Sequence, residues 1–323
     1  MSKPACSIII RSFNEQKHIG RLIEGIKKQV VDTTVEVILV DSGSTDATVQ
    51  IAKQKGATII YIKPEDFSFG RALNIGCKAA SGDILLFASA HVYPLYTNWI
   101  EKMLAPFKDE KVSLVYGKQV GNELTKYSEH QLFKKWFPKE SNYRQEIPFC
   151  NNANAAIRKT LWEIQPFDEL LTGLEDLDWA SKIKEKGYYI AYESLAPIVH
   201  VHEETPQRIK NRYRREAIAL KKIFPKEKFS FIDFLRLSST NIFTDSFHAI
   251  HDKVFFKQFK GILQFRIMQF WGTYQGYRQL EVNKSLKQRL YYPNQFKKQS
   301  YSEAELEEMA IGGEKIIYNA IES

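Results

Sequence analysis

Two short aliphatic runs near the start of the chain, residues 6–10 and 35–40, each end in polar side chains of the kind that handle a nucleotide. Arg11, Asn14 and Glu15 follow the first run, and Asp41 and Ser42 follow the second. An aspartate accepts a hydrogen bond from a base imide N–H, and Ser42-Gly43-Ser44 lets the backbone approach a ligand closely. Farther on, Gly70 and Arg71 offer an open backbone beside a planar, multi-donor group suited to phosphate, or simply a glycine turn into a helix. His91 carries an imidazole able to ligate a transition metal. His200 and His202 are two residues apart, which on a strand puts both on one face; a polar strand end that caps the fold would look the same. Asn151 and Asn152 can bond sugar hydroxyls or make a turn before a strand. Glu175, Asp176 and Asp178 crowd together where a helix N-terminus would favour carboxylates, for chemistry or for capping.

These side chains need elements that hold them in register. Strand-like runs at 7–11, 36–40, 58–62, 84–87 and 112–116 alternate with helical patterns at 18–28, 47–55, 72–80 and 98–107. Such alternation predicts βαβ units and a parallel, three-layer α/β sheet. Ligands of open α/β sheets collect outside the carboxyl ends of the strands, and Arg11 and Asp41 fall there. Residues 131–150 mix Phe133, Trp136, Phe137, Tyr143 and Arg144, a pattern expected of an ordered, irregular loop over a site. Strand and helix resume at 154–163, 177–186 and 188–192. Beyond His202 the pattern is mostly helical, with a broad apolar face between Ile262 and Tyr277.

The chain has 323 residues, 44 % of them hydrophobic and 13 % aromatic, enough for one large domain with an appendage and too much for a disordered chain. No charged-then-apolar leader opens it, and no apolar run approaches the roughly 20 residues of a membrane span. Cys6, Cys77 and Cys150 have no CxxC spacing and suit a reducing cytoplasm better than a disulfide framework or zinc site. The net charge of +8 is concentrated between 208 and 228, where nine basic residues face only Glu216 and Glu227; the tail from Glu303 onward is acidic. A basic block meets nucleic acid, anionic lipid or phosphorylated substrates, or is a solvated helix face. Helical periodicity without any nucleic-acid motif argues against the first. A nucleotidyltransferase would want a glycine-rich, lysine-bearing loop after the first strand, which residues 11–15 do not supply.

In their order from Ser7 to His202 these motifs resemble family 2 glycosyltransferases, the inverting nucleotide-sugar enzymes of GT-A fold, of the bacterial surface-polysaccharide type. The residues that carry the likeness are the two strand ends, Phe69-Gly70-Arg71-Ala72-Leu73-Asn74, residues 149–158 and Gly173-Leu174-Glu175-Asp176. The resemblance implies a mostly parallel sheet flanked by helices over residues 1–205. Its nucleotide-sugar half would be about 1–95 and its acceptor half about 96–205, with a mainly helical region over 206–323. It also implies that Arg11, Asn14, Glu15, Asp41, Ser42, Gly70, Arg71, Asn74, Ser89, Ala90 and Asn152 bind the donor. Asp176 would then be the base, with Glu175 positioning the acceptor. Where the family usually carries Asp-x-Asp, this chain has Ser89-Ala90-His91. Ser89 brings no negative charge, so a divalent cation, Mn2+ or Mg2+, would fall to His91 and His202, with manganese favoured, or metal dependence would be lost. The expected reaction moves a sugar from a nucleoside diphosphate donor to a hydroxyl of a polysaccharide or lipid-linked oligosaccharide; a nucleotide-sugar binding module without catalysis is the alternative. The expected place is the cytoplasm, at the inner face of the cell membrane, with the apolar stripe packed inward and the basic rim toward anionic lipid or a phosphorylated acceptor. Residues 305–321 either pack back or mediate self-association as a homo-oligomer.

Overall fold

The computed structural model describes residues 4–279 apart from residue 33, together with residues 282, 286, 290, 291 and 316. Strands β1 (Cys6–Ser12), β2 (Val35–Asp41), β3 (Thr58–Tyr61) and β4 (Ile84–Ser89) pair in parallel, joined by helices α1 (Ile19–Lys27), α2 (Thr48–Gln54) and α3 (Phe69–Ala79). Ile8, Ile9 and Ile10 of β1 and Leu85, Leu86 and Phe87 of β4 are all buried, as central strands covered on both faces must be. The register sets Ser12 opposite Asp41 and Arg11 opposite Ser89, so the polar strand ends leave the sheet at one level.

The second half supplies β5 (Val92–Pro94), α4 (Trp99–Leu104), β6 (Val112–Val120), α5 (Tyr127–Trp136), β7 (Asn154–Arg158), α6 (Lys159–Ile164), α7 (Glu175–Glu185) and β8 (Tyr189–His200). One sheet results, in the order β3-β2-β1-β4-β7-β6-β8-β5. β7 runs antiparallel to both neighbours and β5 antiparallel to β8, so the sheet is mixed where the elements no longer alternate as βαβ. The β5–β8 pairing sets Val92 opposite His200, and the Val201 N–H donates to the His91 carbonyl at 3.0 Å. The segment expected to be irregular from 131 to 150 is helical up to Trp136. The remainder is pinned by Trp136 stacked on Phe149 at 4.6 Å and by the Tyr192 hydroxyl donating to the Pro138 carbonyl.

Three helices follow: α8 (Pro206–Ile223), α9 (Phe231–His251) and α10 (Phe255–Arg278). Gly272 and Gly276 lie on the backbone of α8, where a Cβ would overlap the carbonyls of Lys210 and Arg214, so α8 and α10 meet at backbone distance. Arg266 of α10 and Asp245 of α9 form a buried two-pronged ion pair, Nε–Oδ2 2.7 Å and Nη2–Oδ1 2.9 Å. Part of the basic block turns inward: Arg212 bonds Glu129 and Glu204, and Lys221 Nζ donates to the Tyr277 carbonyl. Ile262 and Phe265 pack inward as expected, but α9 leaves Ile232, Leu235, Phe243, Phe247 and Ile250 exposed. No described helix is long and apolar enough to cross a membrane. All three cysteines are free and buried. Residues 305–321 lie outside the described residues except Ile316, whose N–H donates to the Leu95 carbonyl.

Replacing Arg266 by Ala strands Asp245 as an unpaired buried charge. The expected loss is about 3–5 kcal/mol of unfolding free energy, read from urea denaturation monitored by circular dichroism.

Candidate functional site

Helix α7 opens after Leu174, whose φ of 56° is left-handed, and this turn places Glu175 and Asp176 among the free N–H groups of the first turn. Arg11 Nη1 donates to Glu175 Oε1 at 2.8 Å, joining the end of β1 to α7. The backbone N–H groups of Asn152 and Leu177 donate to the two oxygens of Asp176 at 2.9 and 2.8 Å. Asn152 Nδ2 reaches Glu175 Oε1 at 3.5 Å, while its Oδ1 is buried without a partner. Burial first, and then the neighbouring Glu175 carboxylate, push Asp176 up to about 7, against its two backbone bonds and Arg11. A carboxylate so placed gains and loses a proton near neutral pH.

The strand ends bring several expected residues together by bonds to one another. Asp41 is buried and accepts from Ser12 Oγ, Ser44 Oγ and the N–H groups of Gly43 and Ser44, and Ser42 Oγ donates to the Ser12 carbonyl. Asn14, at φ 55°, donates from its N–H to Ser44 Oγ and accepts from the Thr45 N–H, locking the first loop to the second. Asn74 is occupied elsewhere: it bonds Trp162, both backbone groups of Phe167 and Glu169. Gly70 is needed because a Cβ would overlap the Asp168 carbonyl. Arg71 is exposed and lies two residues from Phe69, about 200° around the helix, so it is turned away from the cluster that Phe69 joins. Ala90 is buried and Ser89 half-buried at the end of β4.

Phe69 joins a second basic group to the site. Its ring lies 4.7 Å from the Arg11 guanidinium and 4.5 Å from that of Arg215 on α8. Arg215 makes no side-chain hydrogen bond or ion pair among the described residues, and burial lowers its pKa despite nearby Glu216 and Glu175. The residue types gave the basic block, but only the backbone contact of α8 with α10 shows which arginine turns inward.

The histidines form a third group. One ring nitrogen from each of His91, His200 and His202 lies within 4.8 Å of the others. His91 Nδ1 meets Glu15 Oε1 at 2.8 Å, His200 Nδ1 meets Gln119 Oε1 at 2.8 Å and His202 Nδ1 meets Glu129 Oε1 at 2.7 Å. His200 Nε2 is buried with no partner, so the pocket contains a basic nitrogen in need of a proton or a cation. These residues therefore fit a divalent ion of the kind that takes imidazole ligands. Burial first, then its positive neighbours, lower the His200 pKa well below the usual range and keep the ring neutral. Burial opposes charge on His91, but Glu15 outweighs it and raises its pKa, so proton and metal compete there. Burial alone would raise Glu129, yet His202 and Arg212 hold it down to about 2. The spacing of His200 and His202 had placed the two on one face; Glu129 and Gln119 carried no local signal.

The family model described as Glycosyl transferase family 2 matches residues 7–164. The chain is 30 % identical over 223 residues to the O-antigen chain rhamnosyltransferase WbaN of Salmonella anatum, covering 65 % of this chain and 70 % of that protein. It is 27 % identical over 220 residues to the O-antigen chain rhamnosyltransferase RfbN of Salmonella typhimurium, covering 64 % and 69 %. Among solved structures, a mannosyltransferase of Pyrobaculum calidifontis in complex with GDP-Man and Mn2+ superposes with a TM-score of 0.58 at 17 % identity, over 85 % of this chain and 88 % of that one. That likeness is one of fold, a GT-A sheet with helices on its faces.

The raised proton affinity of Asp176 has a cost in stability with a definite sign. Between the unfolded value near ~3.9 and the folded value of about 7, the folded state holds a proton that the unfolded chain has released, so stability falls as pH rises. Asp176→Asn removes that dependence. Its melting temperature is expected to gain on the parent's between pH 4 and pH 8, measured by scanning calorimetry across that range.

Proposed function

This chain belongs to glycosyl transferase family 2 and is a glycosyltransferase; from that premise we propose that it moves a sugar from a nucleoside diphosphate-sugar to a hydroxyl of a polysaccharide or lipid-linked oligosaccharide, with inversion. The observation that carries this reading is Asp176, half-buried, backbone-held and poised near neutral pH beside Glu175 and Arg11 at the end of β1. In the proposed reaction Asp176 takes the acceptor hydroxyl proton as that oxygen attacks the anomeric carbon. The carbon–oxygen bond to the sugar forms, the opposite bond to the diphosphate breaks, and the diphosphate leaves with the electron pair. Glu175, tied to Arg11, positions the acceptor. Arg11 and Arg215, on either contact of Phe69, lend positive charge where the leaving group gains negative charge.

For the donor we assign Arg11, Asn14, Glu15, Ser42, Ser89, Ala90 and Asn152 to the pocket, with the buried Asn152 Oδ1 accepting from a sugar hydroxyl. Asp41 meets a base imide only if a serine hydroxyl yields its bond; otherwise it shapes the loop. Gly70 and Asn74 hold the neighbouring 167–169 backbone, and Arg71, exposed on the side of α3 away from Phe69, is left outside the donor pocket. His91 and His202 would hold a divalent cation, which when bound supplies positive charge to the diphosphate. A surface-polysaccharide acceptor is supported by the names of the two Salmonella relatives.

We place the enzyme at the cytoplasmic face of a membrane. Its support is the exposed side of α9, where Ile232, Leu235, Phe243, Phe247 and Ile250 recur at helical spacing, with Lys253, Lys257 and Lys260 exposed beyond its end. The basic rim and the packed stripe thus exchange places with the expectation in part, since α8 turns arginines inward and α9 turns apolar residues outward.

Asp176→Asn is expected to lower transfer by about 10²–10⁴-fold while calorimetric donor affinity stays within about twofold; transfer at near-parent rates would remove the base assignment. Phe243→Glu combined with Phe247→Glu is expected to abolish co-sedimentation with vesicles containing phosphatidylglycerol, with soluble-donor hydrolysis unchanged.

A further inference from the structure

We propose that His91, His200 and His202 form a single three-imidazole metal site, with His200 as a ligand, that takes a zinc- or cobalt-class transition ion in strong preference to magnesium. Three observations converge on it. One ring nitrogen of each histidine falls within 4.8 Å of the others. The Nδ1 of each ring is already engaged, by Glu15, Gln119 and Glu129 respectively, which leaves Nε2 as the free ligand atom on all three. His200, 6 % exposed, has a buried Nε2 with no hydrogen-bond partner.

The outer contacts are those a metal site needs. An acceptor on Nδ1 fixes the tautomer and the ring plane, and makes Nε2 a better electron-pair donor. Glu15 and Glu129 do this with carboxylates, and Glu129 is itself held by Arg212 Nη2 at 2.6 Å, which also bonds Glu204. The backbone geometry is equally committed. The β5–β8 pairing sets Val92 opposite His200, and the Val201 N–H to His91 carbonyl bond joins the two histidine-bearing segments at a fixed distance.

The ligand set decides the ion. Magnesium demands oxygen ligands in near-octahedral order and gives up water reluctantly, whereas imidazole suits late first-row ions. Three protein ligands leave a coordination position open, the arrangement that lets an ion meet an outside oxygen. Three neutral rings also leave the full double charge on the ion, where a carboxylate pair would cancel it, so the site attracts an anionic oxygen strongly. The inference rests on the proposed function only for naming that oxygen as one of the donor diphosphate; the ion and its ligands stand without it.

The test uses the full chain, stripped with chelator and studied without any nucleotide sugar. Titration with Co2+ is expected to give one equivalent bound and visible d–d absorption of nitrogen-ligand type. Zn2+ is expected to displace it, and Mg2+ to need concentrations at least about 100-fold higher. His200→Ala is expected to weaken Co2+ binding by about 10–100-fold and change the spectrum, Glu129→Gln to weaken it by about 10-fold, and His251→Ala, remote and exposed, to change nothing. Mg2+ binding as tightly as Co2+ in the parent protein would overturn the proposal whatever the variants do, and so would an unchanged cobalt spectrum in a folded His200→Ala protein. Metal binding as described with no sugar transfer would refute the proposed function and leave this site standing.

Discussion

The contact between Arg11 and Glu175 is the interaction on which the site depends. It crosses from the end of the first strand to the first turn of α7, 164 residues later, and ties the carboxylate-bearing helix to the strand end. Glu175 and Asp176 are adjacent, and two carboxylates so close resist sharing a site as two charges. Arg11 gives Glu175 its counter-charge, and the demand for a proton falls on Asp176, which burial pushes the same way. A pair of carboxylates thereby acquires two roles through environment alone.

Positive charge reaches the cleft by two routes that meet at neighbouring strand ends. One is the C-terminal helix α8, brought to backbone contact with α10 by Gly272 and Gly276, which presents Arg215 to Phe69 and Arg212 to Glu129. The other would be the cation proposed for the histidine group at the β4–β5 turn and the end of β8. Arg212 links them, since its partner Glu129 also orients His202. Loosening the three-helix packing is therefore a disturbance to the site and not merely to its periphery.

Much of this could be read from the residues because the signals were local. Alternation of short aliphatic runs and helical stretches marks β1 to β4, and abrupt polar endings mark where ligands gather. An acidic first turn marks the start of α7, and a spacing of two puts His200 beside His202. What depended on distant packing was hidden. Nothing near Arg215 in the sequence distinguishes it from Arg214, yet one faces Phe69 and the other the side chain of Gln279. Asp41 carries the right chemistry for a base; its bonds from Gly43 and Ser44 are made within its own turn, but the Ser12 hydroxyl that completes its saturation arrives only through the register of two strands. Helix α5 was obscured because its aromatic and charged residues make too weak a periodic face to announce it.

If Asp176 is the base and Glu175 raises its proton affinity, the pH dependence of kcat/KM has one rising limb that belongs to their shared environment. The most direct measurement compares that limb in the parent and in Glu175→Gln, with a saturating acceptor and a panel-selected donor. A limb near pH 7 that moves to lower pH when the neighbouring negative charge is removed agrees with the assignment. A limb that stays where it was in Glu175→Gln contradicts it.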